Sequence, residues 1–317
     1  MKTKQNTTGS EKRDPEAYPL NEKLYPLNAE TPRELEFWKS QTGIQDEEEL
    51  RRHIIKVQTE AHALYPYGCI VIFAFLYFRI PRIPGYDRLL KLGRERPGAI
   101  LLDVGCCFGT DSRKVAADGW SATNIVATDL QSEFWDLGHK LFCSTPGTFP
   151  AAFLPGDILN PAHLEVASVI YDQAEVSTQS PILSSLSSLN SLRGHVSAIH
   201  AGALLHLFSE EQQAHIMRAF AGLLSPDSGS MILGSQSGAP EKGTRVVLTG
   251  RNGASVSQFC HSPESWKELI DGQIFKKGTV NVEVVLIEED VKRHPGHDQE
   301  NTLPPAYYTL AWSVTRL

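Results

Sequence analysis

The chain has 317 residues, of which 41% are hydrophobic, 21% charged and 9% aromatic. About 130 apolar side chains are therefore available for a core, which is ordinary globular composition for one large α/β unit or two smaller domains, and 24 Gly with 19 Pro exclude a collagenous or wholly disordered chain. Thirty Lys and Arg against 37 Asp and Glu give a net charge of −7 with no basic block, so the electrostatic footprint of a nucleic-acid binder is missing and a small-molecule ligand is expected.

Residues 1–31 read as an arm in which Tyr-Pro-Leu-Asn occurs at Tyr18–Asn21 and again at Tyr25–Asn28, without helical periodicity. Two copies do not make a repeat protein. The first 23 residues are polar and lack the apolar core of a signal peptide, so a cytoplasmic protein is expected. Glu47 to Glu49 then open a segment whose apolar positions Leu50, Ile54, Val57, Ala61 and Leu64 recur at helical spacing, with the acids at the positive end of the helix. The longest uncharged stretch, Ala63 to Phe78, is shorter than the ~20 residues of a membrane span and is interrupted by Pro66 and Gly68. It is expected to be a buried helix or a pocket wall. After the turn at Pro81–Gly85, Tyr86 to Gly93 fits a short helix, so residues 1–97 read as an arm and helical lid.

From Ala99 the pattern becomes that of strands alternating with helices. Strands are expected at Ala99–Val104, Ile125–Asp129, Phe153–Asp157, Val196–Ala201 and Ser230–Ser235, with helices at Asp111–Asp118 and Glu210–Leu224. That alternation implies a parallel sheet with right-handed crossovers. Leu183, Leu186, Leu189 and Leu192 recur every third residue in the serine-rich stretch Ser177–Ser191, which favours a helix with a polar face over a linker. Val280–Glu289 and Tyr307–Thr315 lack a helix between them and should pair antiparallel. The fold class is thus α/β, Rossmann-like, with a mostly parallel seven-stranded sheet, a terminal antiparallel hairpin and an amino-terminal helical cap.

Chemistry concentrates at the predicted strand ends. In Leu101–Asp111 the glycines Gly105 and Gly109 let backbone approach a ligand, and the helix that follows points N–H groups at an anion. Their spacing is not the G-x-G-x-x-G that cradles a pyrophosphate, and this, with the terminal hairpin, opposes a nicotinamide oxidoreductase. Asp103, Asp129 and Asp157 end three successive predicted strands, where Asp129 can accept both hydroxyls of a ribose and Asp157 a bond from an adenine amino group. The five cysteines, Cys69, Cys106, Cys107, Cys143 and Cys260, form no C-x-x-C pair and no disulfide framework, and no His/Asp/Glu cluster has metal-ligand spacing. Cys106 and Cys107 read as small loop-packing residues rather than nucleophiles or a redox pair.

Over roughly residues 98–317 the chain resembles class I S-adenosylmethionine-dependent methyltransferases, and more specifically fungal natural-product methyltransferases of meroterpenoid pathways. The residues that carry the likeness are Asp103–Arg113, Asp118-Gly119, Thr128–Leu130, the F-W-x-L-G-x-x-L-F run Phe134–Phe142, and Phe259–Trp266. Cys143 stands where that group is expected to carry an acidic residue. The resemblance implies an O-methyltransferase acting on a carboxyl or hydroxyl group of a small polyketide- or terpene-derived acceptor, with S-adenosylmethionine as cofactor and no metal. It places Asp103, Gly105, Cys106 and Gly109 around the methionyl part, Asp129 and Leu130 at the ribose, and Asp157 with Ile158 at the adenine. Arg113 would pair with the methionine carboxylate or with Asp103, and His200 and Ala201 would lie beside the sulfonium. His206 is the candidate base for a hydroxyl acceptor, with His261 second, whereas a carboxylate acceptor needs no base. Tyr65, Tyr67, Phe75 and Tyr77 are the candidate acceptor-pocket residues, the alternative being that they are core. A protein that keeps the fold but uses the bound sulfonium without transferring its methyl is the remaining alternative.

Overall fold

The computed structural model describes residue 15 and residues 18–248, 255–289 and 307–317. Helices α1 (Pro32–Thr42), α2 (Glu47–Leu64), the single turn α3 (Gly68–Val71) and α4 (Tyr86–Glu95) precede the first strand. Asp46 caps α2 by accepting the Glu49 N–H, and four of the five periodic apolar positions, Leu50, Ile54, Val57 and Ala61, are buried, while Leu64 is left 48% exposed. The uncharged stretch that follows is not one helix. Pro66, Gly68 and the run Ile70-Val71-Ile72-Phe73 are poor helix formers, and Phe73 takes a left-handed conformation (φ 56°) between α3 and the 3-10 turn Ala74–Leu76. The Trp38 indole N–H, donating to the Leu76 carbonyl at 3.1 Å, and the Gln58 amide, donating to that of Ile70 at 2.8 Å, hold this segment in place.

Strand β1 (Ile100–Val104) leads into α5 (Thr110–Ala117), followed by β2 (Ile125–Thr128), α6 (Ser132–Leu141), β3 (Ala152–Phe153), β4 (Val196–Gly202), α7 (Glu210–Leu223) and β5 (Met231–Gly238). Then come β6 (Gly243–Leu248), β7 (Ser255–Cys260), α8 (Pro263–Leu269), β8 (Val280–Glu289) and β9 (Tyr307–Arg316). The main sheet has the order β3-β2-β1-β4-β5-β9-β8, with the first five strands parallel and β9 inserted antiparallel between β5 and β8. This is the mostly parallel seven-stranded sheet with a closing antiparallel hairpin that the resemblance implies. The strand order reverses between β1 and β4, the kind of switch point at whose carboxyl ends open α/β sheets bind ligands.

Both faces of the sheet are covered. Leu102, Val104, Ile199 and Ile232 pack with Ile216, Phe220 and Trp312 on one face, and Leu101, Ala198 and Leu233 pack with Ile83, Tyr86 and Leu89 on the other. Phe37, Trp38, Leu50, Ile54 and Phe75 of the amino-terminal region share a third cluster with Phe108, Phe134, Leu141 and Phe142, so that region docks on α6 and on the loop after β1. Within the segment 18–31 read as an arm, Leu27 is buried in the same cluster. No helix among the described residues is long and apolar enough to cross a membrane.

Two local expectations change. The third strand has two residues rather than five: Leu154 still donates to the Ala127 carbonyl, but Pro155 has no N–H to continue the ladder. The leucine-spaced serine stretch is not an α-helix but holds two 3-10 turns, Leu183–Ser185 and Leu189–Leu192. A repeat of three is the period of that tighter helix, and serine hydroxyls compete for backbone partners. Helices α1, α6 and α8 and the separate antiparallel pair β6–β7 are additions to the elements read from sequence.

Candidate active site

Asp103 and His200 are register partners across β1 and β4. Both are buried; His200 Nδ1 lies 2.8 Å from one Asp103 carboxylate oxygen, while the Ser112 hydroxyl of α5 donates to the other at 2.5 Å. His200 Nε2 is 3.9 Å from Asp111 Oδ2 and makes no hydrogen bond. Burial opposes the charged imidazole, but the Asp103 bond and the charges of Asp103 and Asp111 outweigh it and leave the His200 pKa raised. Burial likewise raises the Asp111 pKa, with His200 pulling the other way. The other Asp111 oxygen accepts the backbone N–H groups of Arg79 and Ile80, both at 3.3 Å. An acid, a histidine and a second acid thus run from the sheet to the amino-terminal segment.

The loop after β1 is left-handed at Gly105 (φ 70°), Cys107 (φ 49°) and Gly109 (φ 69°). A Cβ at Gly109 would lie 2.6 Å from the Trp135 ring, and one at Gly138 would lie 2.3 Å from the Phe108 carbonyl oxygen. The close approach of α6 to this loop therefore accounts for Gly109 and for the glycine of the F-W-x-L-G run. At Gly105 the same test meets Leu204 at 2.9 Å, from the loop after β4. Cys106 is buried, and burial raises its thiol pKa well above the ordinary range, which disfavours a nucleophile.

Asp129 accepts the Cys107 N–H at 2.9 Å on one oxygen and the Gln131 N–H at 3.0 Å on the other, with its pKa raised by burial. Leu130 beside it is left 43% exposed. The Gly156 N–H donates to the Asp129 carbonyl, which brings exposed Asp157 next to Asp129 although it lies beyond β3; Asp157 itself accepts the Leu159 N–H at 2.9 Å. Ile158 is buried in the main core, and so is Ala201.

Arg113 does not pair with Asp103, one of its two expected partners. It is buried, donates to the Phe108 carbonyl at 2.9 Å, contacts Ser144 at 3.3 Å and sits over the rings of Trp135, Phe142 and Phe149. It has no bond to Asp103, whose two oxygens are taken by Ser112 and His200. Burial lowers its pKa to about 10.

Of the four aromatic candidates, Tyr65 and Tyr67 pack ring against ring, tilted by 40° with centroids 4.2 Å apart. The Tyr67 pKa is raised first by burial and then by the Asp129 charge, so its hydroxyl belongs to the same end of the sheet. The thiol of Cys69 nearby interacts with that of Cys107. Tyr65 and Phe75 are both core, buried in the amino-terminal cluster, with Phe75 edge-on to Phe108 at 4.9 Å, while Tyr77 is half-buried beside Glu34 and Arg82. His206 lies in the 3-10 turn Leu205–Leu207 with Nδ1 buried and unpartnered, its pKa lowered to about 4 by burial and then by the Arg79 charge. His261 is fastened to the start of α8 through Ser265 at 2.9 Å and packs on Trp266, its pKa also lowered to about 4 by burial. Arg79, Asp111, Ser112 and Leu204 are the members of this constellation to which sequence assigns no role; the Asp111-Ser112 pair at the start of the helix is the signal that points to two of them.

Residues 23–76 match the meroterpenoid methyltransferase N-terminal domain. Among curated proteins the chain is 29% identical to the O-methyltransferase phiE of Fungal sp. (strain ATCC 74256), over 70% of this chain and 65% of that protein. It is 32% identical to the O-methyltransferase atr3 of Stereocaulon alpinum, over 63% of this chain and 51% of that protein. With the methyltransferase ausD of Penicillium brasilianum it shares 28% identity over 84% of this chain and 82% of that protein. In the order of its sheet, in its amino-terminal segment and in these relatives, the chain has the class I methyltransferase fold and resembles the fungal natural-product methyltransferases of the meroterpenoid type.

Proposed function

We propose that the protein transfers the methyl group of S-adenosylmethionine to an oxygen of a small organic acceptor, of polyketide or terpene origin, in fungal secondary metabolism. The observation that carries this reading is Asp129: a carboxylate at the end of β2, oriented by the Cys107 and Gln131 N–H groups, with an open apolar Leu130 beside it. Each carboxylate oxygen keeps a lone pair for a ribose hydroxyl, and Leu130 offers an apolar surface for a flat base, so these residues fit an adenosyl group. Two of the relatives are named O-methyltransferases, which supports oxygen as the target.

The cofactor supplies an already activated methyl on its sulfonium, so this chain has to position, orient and exclude water. In this reading Asp129 holds the ribose, Asp157 receives the adenine amino group, and Gly105, Cys106 and the β4 end at His200 and Ala201 border the methionyl part. Residues 18–97 form the lid, with the half-buried Tyr67 facing the acceptor. The neutral state of His206 suits an acceptor that is already ionised and needs no base. The test is calorimetric titration with S-adenosylhomocysteine, followed by incubation of methyl-labelled cofactor with fungal culture extract. Label appearing in a small molecule as a methyl ester or ether is expected. Label that stays on the cofactor would sink the transfer reading.

A further inference from the structure

Arg79 joins the Tyr65–Phe78 segment to the 3-10 turn Ile80–Arg82, and the Asp111 carboxylate fixes it there through two backbone N–H groups. The clamp uses only backbone, which leaves out the guanidinium. It is half-buried and makes no hydrogen bond, ion pair or ring contact among the described residues. A guanidinium held partly out of water with no protein partner is a ready site for an anion. The Arg79 backbone lies 3.3 Å from Asp111, which stands 3.9 Å from His200 Nε2, and the guanidinium charge acts on Asp111, His200, His206 and Cys69; this puts Arg79 over the carboxyl ends of β1 and β4, at the point where the strand order reverses. Arg113, the other arginine near this loop, is spent on the Phe108 carbonyl and three rings.

We infer that Arg79 is the carboxylate anchor of the cleft, its guanidinium receiving an organic carboxylate in a two-pronged pair while Asp111 fixes the backbone that carries it. The inference rests on the methyltransferase reading, under which two carboxylates come to this place: that of the cofactor's methionine and that of the acceptor. Planar guanidinium matches either one, and a lysine would bind only as a point charge.

The test uses the full chain with Arg79→Gln and Arg79→Lys, neither of which touches the backbone bonds to Asp111. Calorimetry compares S-adenosylhomocysteine with 5′-deoxy-5′-methylthioadenosine, which keeps the adenosine and sulfur but has no carboxylate. If the cofactor is the partner, Arg79→Gln weakens S-adenosylhomocysteine at least tenfold, leaves methylthioadenosine within twofold, and Arg79→Lys recovers part of the loss. If the acceptor is the partner, both nucleosides bind unchanged. The amount of acidic extract fraction needed for half-maximal transfer of labelled methyl, at saturating cofactor, then rises at least tenfold in Arg79→Gln with a smaller change in maximal rate. Unchanged binding of S-adenosylhomocysteine together with unchanged acceptor saturation overturns the assignment. A wild type that binds neither nucleoside overturns the methyltransferase reading instead, so the two failures are distinct.

Discussion

His200 Nδ1 stands 2.8 Å from Asp103 Oδ1 across neighbouring strands, and that bond commits to each other two residues that the family resemblance assigns to the cofactor. With Ser112 on its second oxygen, Asp103 joins β1, α5 and β4.

Asp103→Ala should therefore be a stability mutation. It strands the buried Ser112 hydroxyl and leaves His200 without its anion, a loss of about 3–5 kcal/mol. Asp103→Asn keeps the shape and one acceptor and should lose less. Urea unfolding of the two variants against wild type checks this; a midpoint unchanged in Asp103→Ala would show that the network contributes nothing.

Stability should be greatest near neutral pH, for opposite reasons on either side. His206 and His261 titrate near 4 when folded and near 6.5 when unfolded, so between those values the unfolded chain binds more protons. Stability must then fall as pH drops from 6.5 to 4, by up to about 3 kcal/mol per histidine. The His200 pKa is raised, so its contribution is complete below the unfolded value and is lost as pH rises through the folded one. Thermal melting from pH 4 to 9 should show both slopes. Asn at positions 206 and 261 should flatten the acid one, and Asn at 200 the other.

Strand and helix positions are largely legible in this sequence because the sheet is buried on both faces, which writes apolar runs at Ile100–Val104, Ile125–Thr128 and Val196–Gly202. Asp129 is legible for a related reason: a carboxylate directly after a buried strand has one place to go. Arg113 is not legible, because a helix arginine reads as a surface residue and nothing local announces three rings from α6 and the segment after it. Arg79 is hidden for the converse reason, since its position depends on a side chain 32 residues away.

Asp129→Ala should lower affinity for S-adenosylhomocysteine by about 1.5–3 kcal/mol, the worth of charge-assisted bonds to a ribose. The same variant also frees the Cys107 N–H, so Asp129→Asn, which keeps an acceptor, separates loop support from ligand contact. Calorimetric affinities equal to wild type in Asp129→Ala would remove Asp129 from the site.

Arg113→Lys tests a residue whose two readings predict different losses. As a buried cation held among Trp135, Phe142 and Phe149, it should cost stability by about 2 kcal/mol, because an ammonium can neither stack nor reach the same carbonyl and hydroxyl. As a partner of the methionine carboxylate it would cost affinity instead. The expected outcome is a lower urea midpoint with S-adenosylhomocysteine binding within threefold of wild type.

His206→Ala decides how the acceptor is activated. With its pKa near 4, the imidazole is neutral across pH 6 to 9, so its protonation state does not change over that range. If the acceptor is a carboxylate, catalysis is positioning, and removal of His206 should lower the rate only a fewfold while both enzymes stay flat from pH 6 to 9. If the acceptor is a hydroxyl, loss of the base should cost a factor of about 10²–10⁴. The buried, unpartnered Nδ1 and the adjacent Arg79 charge both make this imidazole a weak base, which favours the first outcome. Rates of labelled-methyl transfer at saturating cofactor, measured for both enzymes over that range, separate the cases. A large loss, joined to a wild-type rate that climbs through a histidine-like pKa and is flat in the variant, would overturn both the carboxylate reading and the neutral His206 described here.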